Sequence, residues 1–138
     1  MRMLFPIARI LFSLIFLTAA PRHFSSEGIG HAASLGVPFA HLLVPLSGVM
    51  AIVGGLSVVF GYKARWGAWV LVAFLVPVTW MMHAHWKQTD PVTIHIRQAM
   101  FAKNLSMLGA ALLITQFGAG RISIDDLMKD RNLPPEAY

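Results

Sequence analysis

Lys103 and Asn104 are neighbouring polar residues inside an otherwise apolar segment, and they are the residues best suited to bind a ligand. The lysine ammonium supplies positive charge, and the asparagine amide both donates and accepts hydrogen bonds. Together they could hold a carbonyl group or an anion in a pocket within the outer leaflet of a membrane. The alternative is that Lys103 snorkels, so that its long side chain lifts the ammonium to the lipid head groups.

The segment that carries this pair, from Asp90 to Gly118, has the pattern of a membrane-spanning helix. Asp90 followed by Pro91 is a good helix start, because aspartate caps free amides and proline at the first position has no amide hydrogen to lose. Lys103 is the only charge in residues 98–117, which span about 30 Å as a helix. An advance of about 100° per residue places one set of residues on the face expected to meet other helices: Arg97, Met100, Lys103, Asn104, Met107, Ala111 and Thr115.

The composition of the whole chain is that of a membrane protein. Hydrophobic residues make up 57% of the 138 residues and charged residues only 12%, which leaves too little polar surface to cover a soluble protein. The absence of cysteine excludes disulfides, thiolate metal sites and a thiol nucleophile. The net charge is +5, but no cluster of basic residues is interleaved with aromatic residues, so we expect no nucleic-acid partner.

Apolar runs predict an all-α membrane protein, a bundle of four transmembrane helices forming one domain over residues 1–138. The predicted spans are residues 4–20, 38–60, 66–86 and 98–117, and a polar cytoplasmic tail follows at 118–138. A short irregular or helical loop is expected outside the membrane between the first two spans. A cleavable signal peptide is the alternative for the first run, but Arg9 within it and Pro21 after the possible cleavage site argue against processing.

The second span carries small residues at a spacing that lets membrane helices approach closely. Ser47, Ala51 and Gly55 recur at every fourth residue, and Gly54 precedes the last of them. Small side chains allow two helix backbones to come together, so we expect these four residues to form a helix-packing face.

The distribution of basic residues predicts that both termini are cytoplasmic. Four spans place both termini on one side, and with that side inside the cell the inner segments carry seven basic residues against four outside. The inner set is Arg2, Arg9, Lys63, Arg65, Arg121, Lys129 and Arg131, and the outer set is Arg22, Lys87, Arg97 and Lys103. Because inner-membrane proteins carry an excess of lysine and arginine on the cytoplasmic side, this orientation is favoured.

All six histidines fall in the outer half of this topology, which raises the question of a metal site. His83, His85 and His95 have the ligand type for zinc or copper. Residues two apart on a helix point about 200° from each other, so one ion could take both His83 and His85 only where the helix has frayed. A haem held between His41 and His83 is a further alternative. We expect no metal.

Several motifs, in order along the chain, resemble the DoxX family of small bacterial inner-membrane proteins. They are LGVP at 35–38, VGGLSVVFGYKARWGA at 53–68, TWMMHAHW at 79–86, FAKNLSMLGAALL at 101–113 and GAGRISID at 118–125. The resemblance implies a four-helix fold in the bacterial inner membrane. Positions that match the family's pattern are Arg9, Gly54, Gly55, His83, Trp86, Phe101, Lys103 and Asn104.

The resemblance also implies a function, because some DoxX proteins are associated with oxidoreductase systems. On that basis we expect an accessory redox subunit that binds a quinone through Lys103, Asn104 and His83, with Trp86 and Arg97 beside them. A redox-protein partner would supply the electrons, because the chain has no thiolates to hold an iron–sulfur cluster. The alternative is a non-catalytic membrane scaffold or assembly module for a partner complex, and a homo-oligomer is compatible with either function.

Overall fold

The computed structural model describes residues 3–131, and helices account for most of them. Over this range the α-helices are α1 (Leu4–Ala19), α2 (Ser26–Ser34), α3 (Ala40–Phe60), α4 (Ala64–Met82), α5 (Pro91–Phe117) and α6 (Ile124–Arg131). Two 3-10 turns lie at Ala20–Phe24 and His85–Lys87. Residues 132–138 of the predicted tail lie outside the described range.

Four stretches are long and apolar enough to cross a membrane, which confirms the predicted all-α, four-span bundle. They are Leu4–Phe24, Ala40–Phe60, Ala64–Lys87 and Pro91–Phe117. The connection between the first two is helical, as expected, because α2 lies within it. We call the two ends of the bundle the α2 end and the α6 end, after the short helix at each. Which end faces the cytoplasm stays a prediction.

The start of α5 follows the local signal in the sequence. The Asp90 carboxylate accepts hydrogen bonds from the Thr93 backbone N–H at 2.8 Å and from the Thr93 hydroxyl at 2.7 Å, and Pro91 is the first helical residue. The hydrogen bonds from Thr93 stabilise the ionised carboxylate and lower the pKa of Asp90 below its ordinary value.

The end of α4 differs from the prediction that the third span continues as helix to Trp86. The helix ends at Met82, and Trp86 lies on the 3-10 turn beyond it. The Trp86 ring packs edge-on against Phe101 of α5, with a centroid distance of 5.8 Å, and against Trp80 of α4 at 6.4 Å. We attribute the early helix end to this packing, because the chain must leave the α4 axis to bring Trp86 against α5.

The α3 helix is central in the packing: α1 and α4 both contact it, and α5 packs on α4. A Cβ atom added to Gly54 would lie 2.7 Å from Leu71 Cγ of α4, and one added to Gly55 would lie 3.0 Å from Leu17 Cδ2 of α1. Neighbouring glycines thus allow close approach to two different helices. Ala51 of the predicted packing face is fully buried as well, whereas Ser47 is half-buried.

Arg9 joins α1 to the segment that follows α5. Its guanidinium is buried, with Nη1 donating to the Ala119 carbonyl oxygen at 3.0 Å and Nη2 donating to the Ile122 carbonyl oxygen at 2.6 Å. Both carbonyls lie beyond the end of α5, where helix geometry no longer supplies their partners. Arg9 therefore anchors the C-terminal segment to the bundle.

Asp125 joins the same segment to the beginning of α4. Its carboxylate accepts hydrogen bonds from the backbone N–H groups of Lys63 at 2.7 Å and Ala64 at 3.0 Å. Amides at a helix start have no partner within the helix, so Asp125 acts as a cap supplied from a distant part of the chain. The backbone N–H of Asp125 in turn donates to the Gly61 carbonyl oxygen at 2.8 Å.

Replacement of Asp125 by alanine is expected to lower the free energy of unfolding by about 1 kcal/mol, the usual effect of losing a helix cap. Denaturant titration in detergent, followed by circular dichroism, measures the change. Glu27→Ala is the control, because it removes a carboxylate that pairs with Arg22 at 3.3 Å on an exposed surface, and such pairs stabilise little. Equal losses in the two variants would contradict a capping role for Asp125.

Candidate functional site

A cavity of about 630 Å³ lies in the half of the bundle nearer the α2 end. Its volume is in the range of about 300–1,000 Å³ that is usual for small-molecule sites. Helices α1 to α5 all contribute to the wall, which is mainly apolar and includes Phe16, Val44, Met50, Phe74, Val78 and Met107. Ile15 and Leu46 line the cavity and are also exposed on the outside of the bundle, so the cavity opens to the surroundings.

Polar side chains also line the cavity, and three of the five predicted ligand-binding residues are among them. The three are His83, Lys103 and Asn104. The other polar lining residues are Thr18, Arg22, His23, His31 and Ser47. Within the described residues, no aspartate or glutamate lines the cavity. The polar part of the site is therefore rich in hydrogen-bond donors and positive in charge.

Asn104 is the most buried of the predicted site residues, with 4% of its surface exposed. Asn104 lines the cavity, and its side-chain amide makes no hydrogen bond to a described residue. The amide atoms are not among the fully buried polar atoms that lack a partner, so they are open to the cavity. The Asn104 amide is therefore free to bind a group that enters the cavity.

Lys103 lies at the rim of the same cavity and is exposed. Its ammonium nitrogen Nζ lies 3.4 Å from the Met100 sulfur, and a thioether is only a weak acceptor. No carboxylate in the described part of the chain forms an ion pair with it. The ammonium thus remains available to an anion at the entrance of the cavity.

His23 and Ser47 form a polar pair that the sequence analysis did not foresee. His23 Nδ1 lies 2.8 Å from Ser47 Oγ, and the Ser47 hydroxyl donates to the Val44 carbonyl oxygen at 2.6 Å. When the single proton of that hydroxyl is donated to Val44, His23 Nδ1 is the donor to Ser47, and Nε2 of the neutral ring is an acceptor. The sequence offered no signal for a contact across 24 residues.

Trp86 and Arg97, the other two predicted site residues, do not line the cavity. The Trp86 ring belongs to the aromatic cluster with Trp80 and Phe101. Arg97 Nη1 donates to the carbonyl oxygen of Met82 at 3.2 Å, where α4 ends and helical partners are missing. Both side chains hold the turn between α4 and α5.

The structure separates the histidines considered as metal ligands. His83 lines the cavity, while the His85 ring packs against Phe101 at a centroid distance of 5.6 Å. His95 lies on α5 and is exposed. Within residues 3–131, no three histidine or acidic side chains come together in a way that could hold a metal ion.

Comparison with known proteins gives the family. The sequence profile of the SURF4 family matches residues 3–131. The chain belongs to the SURF4 family. It is 28% identical over 131 residues to the inner membrane protein YqjF of Escherichia coli K12, covering 91% of this chain and 92% of YqjF. It is also 31% identical over 121 residues to the inner membrane protein YphA of the same strain, covering 86% of each chain.

These relatives and the four apolar spans make this SURF4 protein a multi-pass protein of the inner membrane. A more distant similarity is to the ER-derived vesicles protein ERV29 of Saccharomyces cerevisiae, with 28% identity over 81 residues. That match covers 59% of this chain but only 26% of ERV29. No solved structure matches the chain significantly.

Membership of the SURF4 family corrects the resemblance to DoxX proteins, which was wrong. The motifs behind that resemblance include paired glycines in α3 and tryptophans at the ends of α4. Closely packed membrane helices favour small residues, and membrane surfaces favour tryptophan, whatever the family. Such motifs therefore indicate a four-span bundle and do not discriminate between families. The expected quinone and redox partner came with the DoxX resemblance and lose their support with it.

Proposed function

We propose that this SURF4 protein is a non-catalytic membrane module, a scaffold whose helices α1 to α5 hold open a cavity for a group that enters from the bilayer. The observation that carries the proposal is the apolar cavity with the unpartnered Asn104 amide in its wall and Lys103 at its rim. An apolar pocket with a few convergent polar groups is the usual form of a binding site.

The geometry of His23 and Ser47 favours binding over catalysis. A serine nucleophile passes its proton to a histidine base, so the imidazole nitrogen must accept from the hydroxyl. With the Ser47 proton donated to the Val44 carbonyl oxygen at 2.6 Å, His23 Nδ1 donates to Ser47 instead of accepting from it. The pair therefore fixes the orientation of the His23 ring at the cavity wall.

The proposal includes a single domain with both termini in the cytoplasm. This orientation is supported by the seven basic residues of the inner segments against four in the outer ones. The α2 end, with the cavity, would then lie toward the outer leaflet, and the α6 end toward the cytoplasm. A partner inside the bilayer would reach the cavity laterally, past exposed lining residues such as Ile15 and Leu46.

A tryptophan that occupies the cavity is expected to remove whatever the protein holds there. Ala19 is exposed and lines the cavity at the end of α1, so Ala19→Trp adds bulk at this position without displacing a packed core side chain. The measurement is native mass spectrometry of protein extracted directly from membranes into polymer-bounded discs, with bound lipids, small molecules and polypeptides scored together. We expect the amount of bound occupant per protein to fall at least severalfold in the variant.

Ala102→Trp is the matched control, since Ala102 is exposed on α5 but does not line the cavity. It makes the same chemical change on the outside of the bundle and should keep the occupant. If both variants retain everything that the unmodified protein retains, the cavity is not a binding site and the proposal fails.

A further inference from the structure

We infer that the occupant of the cavity is an anionic membrane lipid, with its head group at Lys103 and Asn104 and an acyl chain against the apolar walls. The inference rests on the proposed function and names the class of ligand. It follows from the charge at the rim, the unmet hydrogen bonds in the wall and the size of the cavity.

The charge at the rim selects a negative head group. Lys103 and Arg22 are the permanently charged side chains that line the cavity, and no described carboxylate lines it. Arg22 already pairs with Glu27 at 3.3 Å, whereas the described part of the chain offers Lys103 only the Met100 sulfur. An ammonium at membrane depth is stabilised by an anion, and the phosphate of a lipid is the anion that a bilayer supplies there.

The cavity wall near Lys103 also offers hydrogen-bonding groups to the phosphate of an anionic lipid. The Asn104 amide, with 4% of the residue exposed and no partner among the described side chains, can donate to a phosphate or ester oxygen. His83 also lines the cavity. A cation, a buried amide donor and an imidazole make a site for an oxygen-rich anion, whereas the head group of a neutral zwitterion would bring a second cation next to Lys103.

The apolar part of the cavity is suited to an acyl chain. The cavity holds about 630 Å³, lies between five helices and opens to the surroundings past exposed lining residues such as Ile15 and Leu46. A flexible chain adapts to this shape, and the methionines of the wall, Met50, Met81, Met82 and Met107, can repack around it.

The test is a lipid titration of the full-length protein, purified in detergent and stripped of endogenous lipid, followed by native mass spectrometry. The probes are phosphatidylglycerol and phosphatidylcholine with identical acyl chains. We expect phosphatidylglycerol to bind more tightly, and Lys103→Gln to weaken its binding about tenfold, the effect of losing one charged hydrogen bond. Lys103→Arg, which keeps the positive charge, should retain binding.

Lys87→Gln is the matched control, because Lys87 is exposed at the α2 end of the bundle and does not line the cavity. It should leave phosphatidylglycerol binding unchanged, while a thermal melt confirms that Lys103→Gln is folded. Equal losses in Lys87→Gln and Lys103→Gln, or equal affinity for the two lipids, would overturn the inference. Competition by inorganic phosphate at the concentration of the lipid would overturn the role of the acyl chain.

The inference and the proposed function can fail separately. If Ala19→Trp releases a polypeptide or an uncharged molecule, and Lys103→Gln does not change phosphatidylglycerol binding, the cavity is a binding site but its occupant is not an anionic lipid. If Ala19→Trp releases nothing, the proposed function itself fails.

Discussion

Replacement of Arg9 by methionine is expected to lower the free energy of unfolding by about 3 kcal/mol and to detach the segment after α5 from the bundle. The guanidinium donates to two carbonyl oxygens, those of Ala119 at 3.0 Å and Ile122 at 2.6 Å. Hydrogen bonds from a charged donor stabilise by about 1.5–3 kcal/mol each, and losing the donor leaves both carbonyls without a partner. Methionine keeps much of the side-chain volume, so the effect reports on the hydrogen bonds.

Two measurements check this result. Denaturant titration in detergent gives the stability, and the rate of tryptic cleavage after Arg121 reports whether the segment has become accessible. Arg65→Met is the control, because Arg65 is exposed and donates no side-chain hydrogen bond within residues 3–131. The stability and cleavage rate of Arg9→Lys should lie between those of Arg9→Met and Arg65→Met, because an ammonium cannot reproduce the planar fork of the guanidinium. An Arg9→Met protein with unchanged stability and cleavage would show that the anchor is unimportant.

Gly54→Ala is expected to lower the free energy of unfolding by about 2 kcal/mol, within the range of overpacked cores. An alanine Cβ at this position would lie 2.7 Å from Leu71 Cγ and 2.9 Å from the Gly67 carbonyl oxygen. Leu71 is itself fully buried, and the carbonyl belongs to the backbone of α4, so α3 and α4 must move apart. Membrane helices associate through such close packing, because lipid provides little hydrophobic drive between them.

Gly109→Ala makes the identical change where a Cβ meets nothing within 4 Å. It should leave stability unchanged or raise it by up to about 1 kcal/mol through helix propensity. Denaturant titration of the two variants side by side is the measurement. Equal behaviour of the pair would mean that the contact between α3 and α4 tolerates a methyl group, contrary to the packing described above.

Much of the fold follows from local features of the sequence. The four spans follow from the length and polarity of the apolar runs, and the start of α5 follows from Asp90 and Pro91. The short helix α6 also has a local start signal, because the Ser123 hydroxyl accepts a hydrogen bond from the Asp126 backbone N–H at 3.1 Å. The helix starts depend on residues within a few positions of one another and the spans on contiguous apolar runs, which is why the pattern alone reveals them.

The candidate site was only partly predictable. Lys103 and Asn104 stand out because polar residues are rare in an apolar helix, and both line the cavity. Trp86 lies elsewhere because α4 ends four residues earlier than the prediction, at Met82. His23 and Ser47 could not be paired from the sequence, since their contact depends on how the turn after α1 folds back on α3.

The sequence by itself determined the number of spans and their helical form, because a bilayer leaves no other way to satisfy the backbone of a long apolar segment. It also restricted the chemistry, since a chain without cysteine has no thiolate sites. Only the tertiary structure decided what each polar side chain does. Arg9 meets carbonyl groups 110 and 113 residues away, and the Asn104 amide faces a cavity formed by distant helices. Such contacts depend on how the helices pack, which residue spacing within a single helix does not specify.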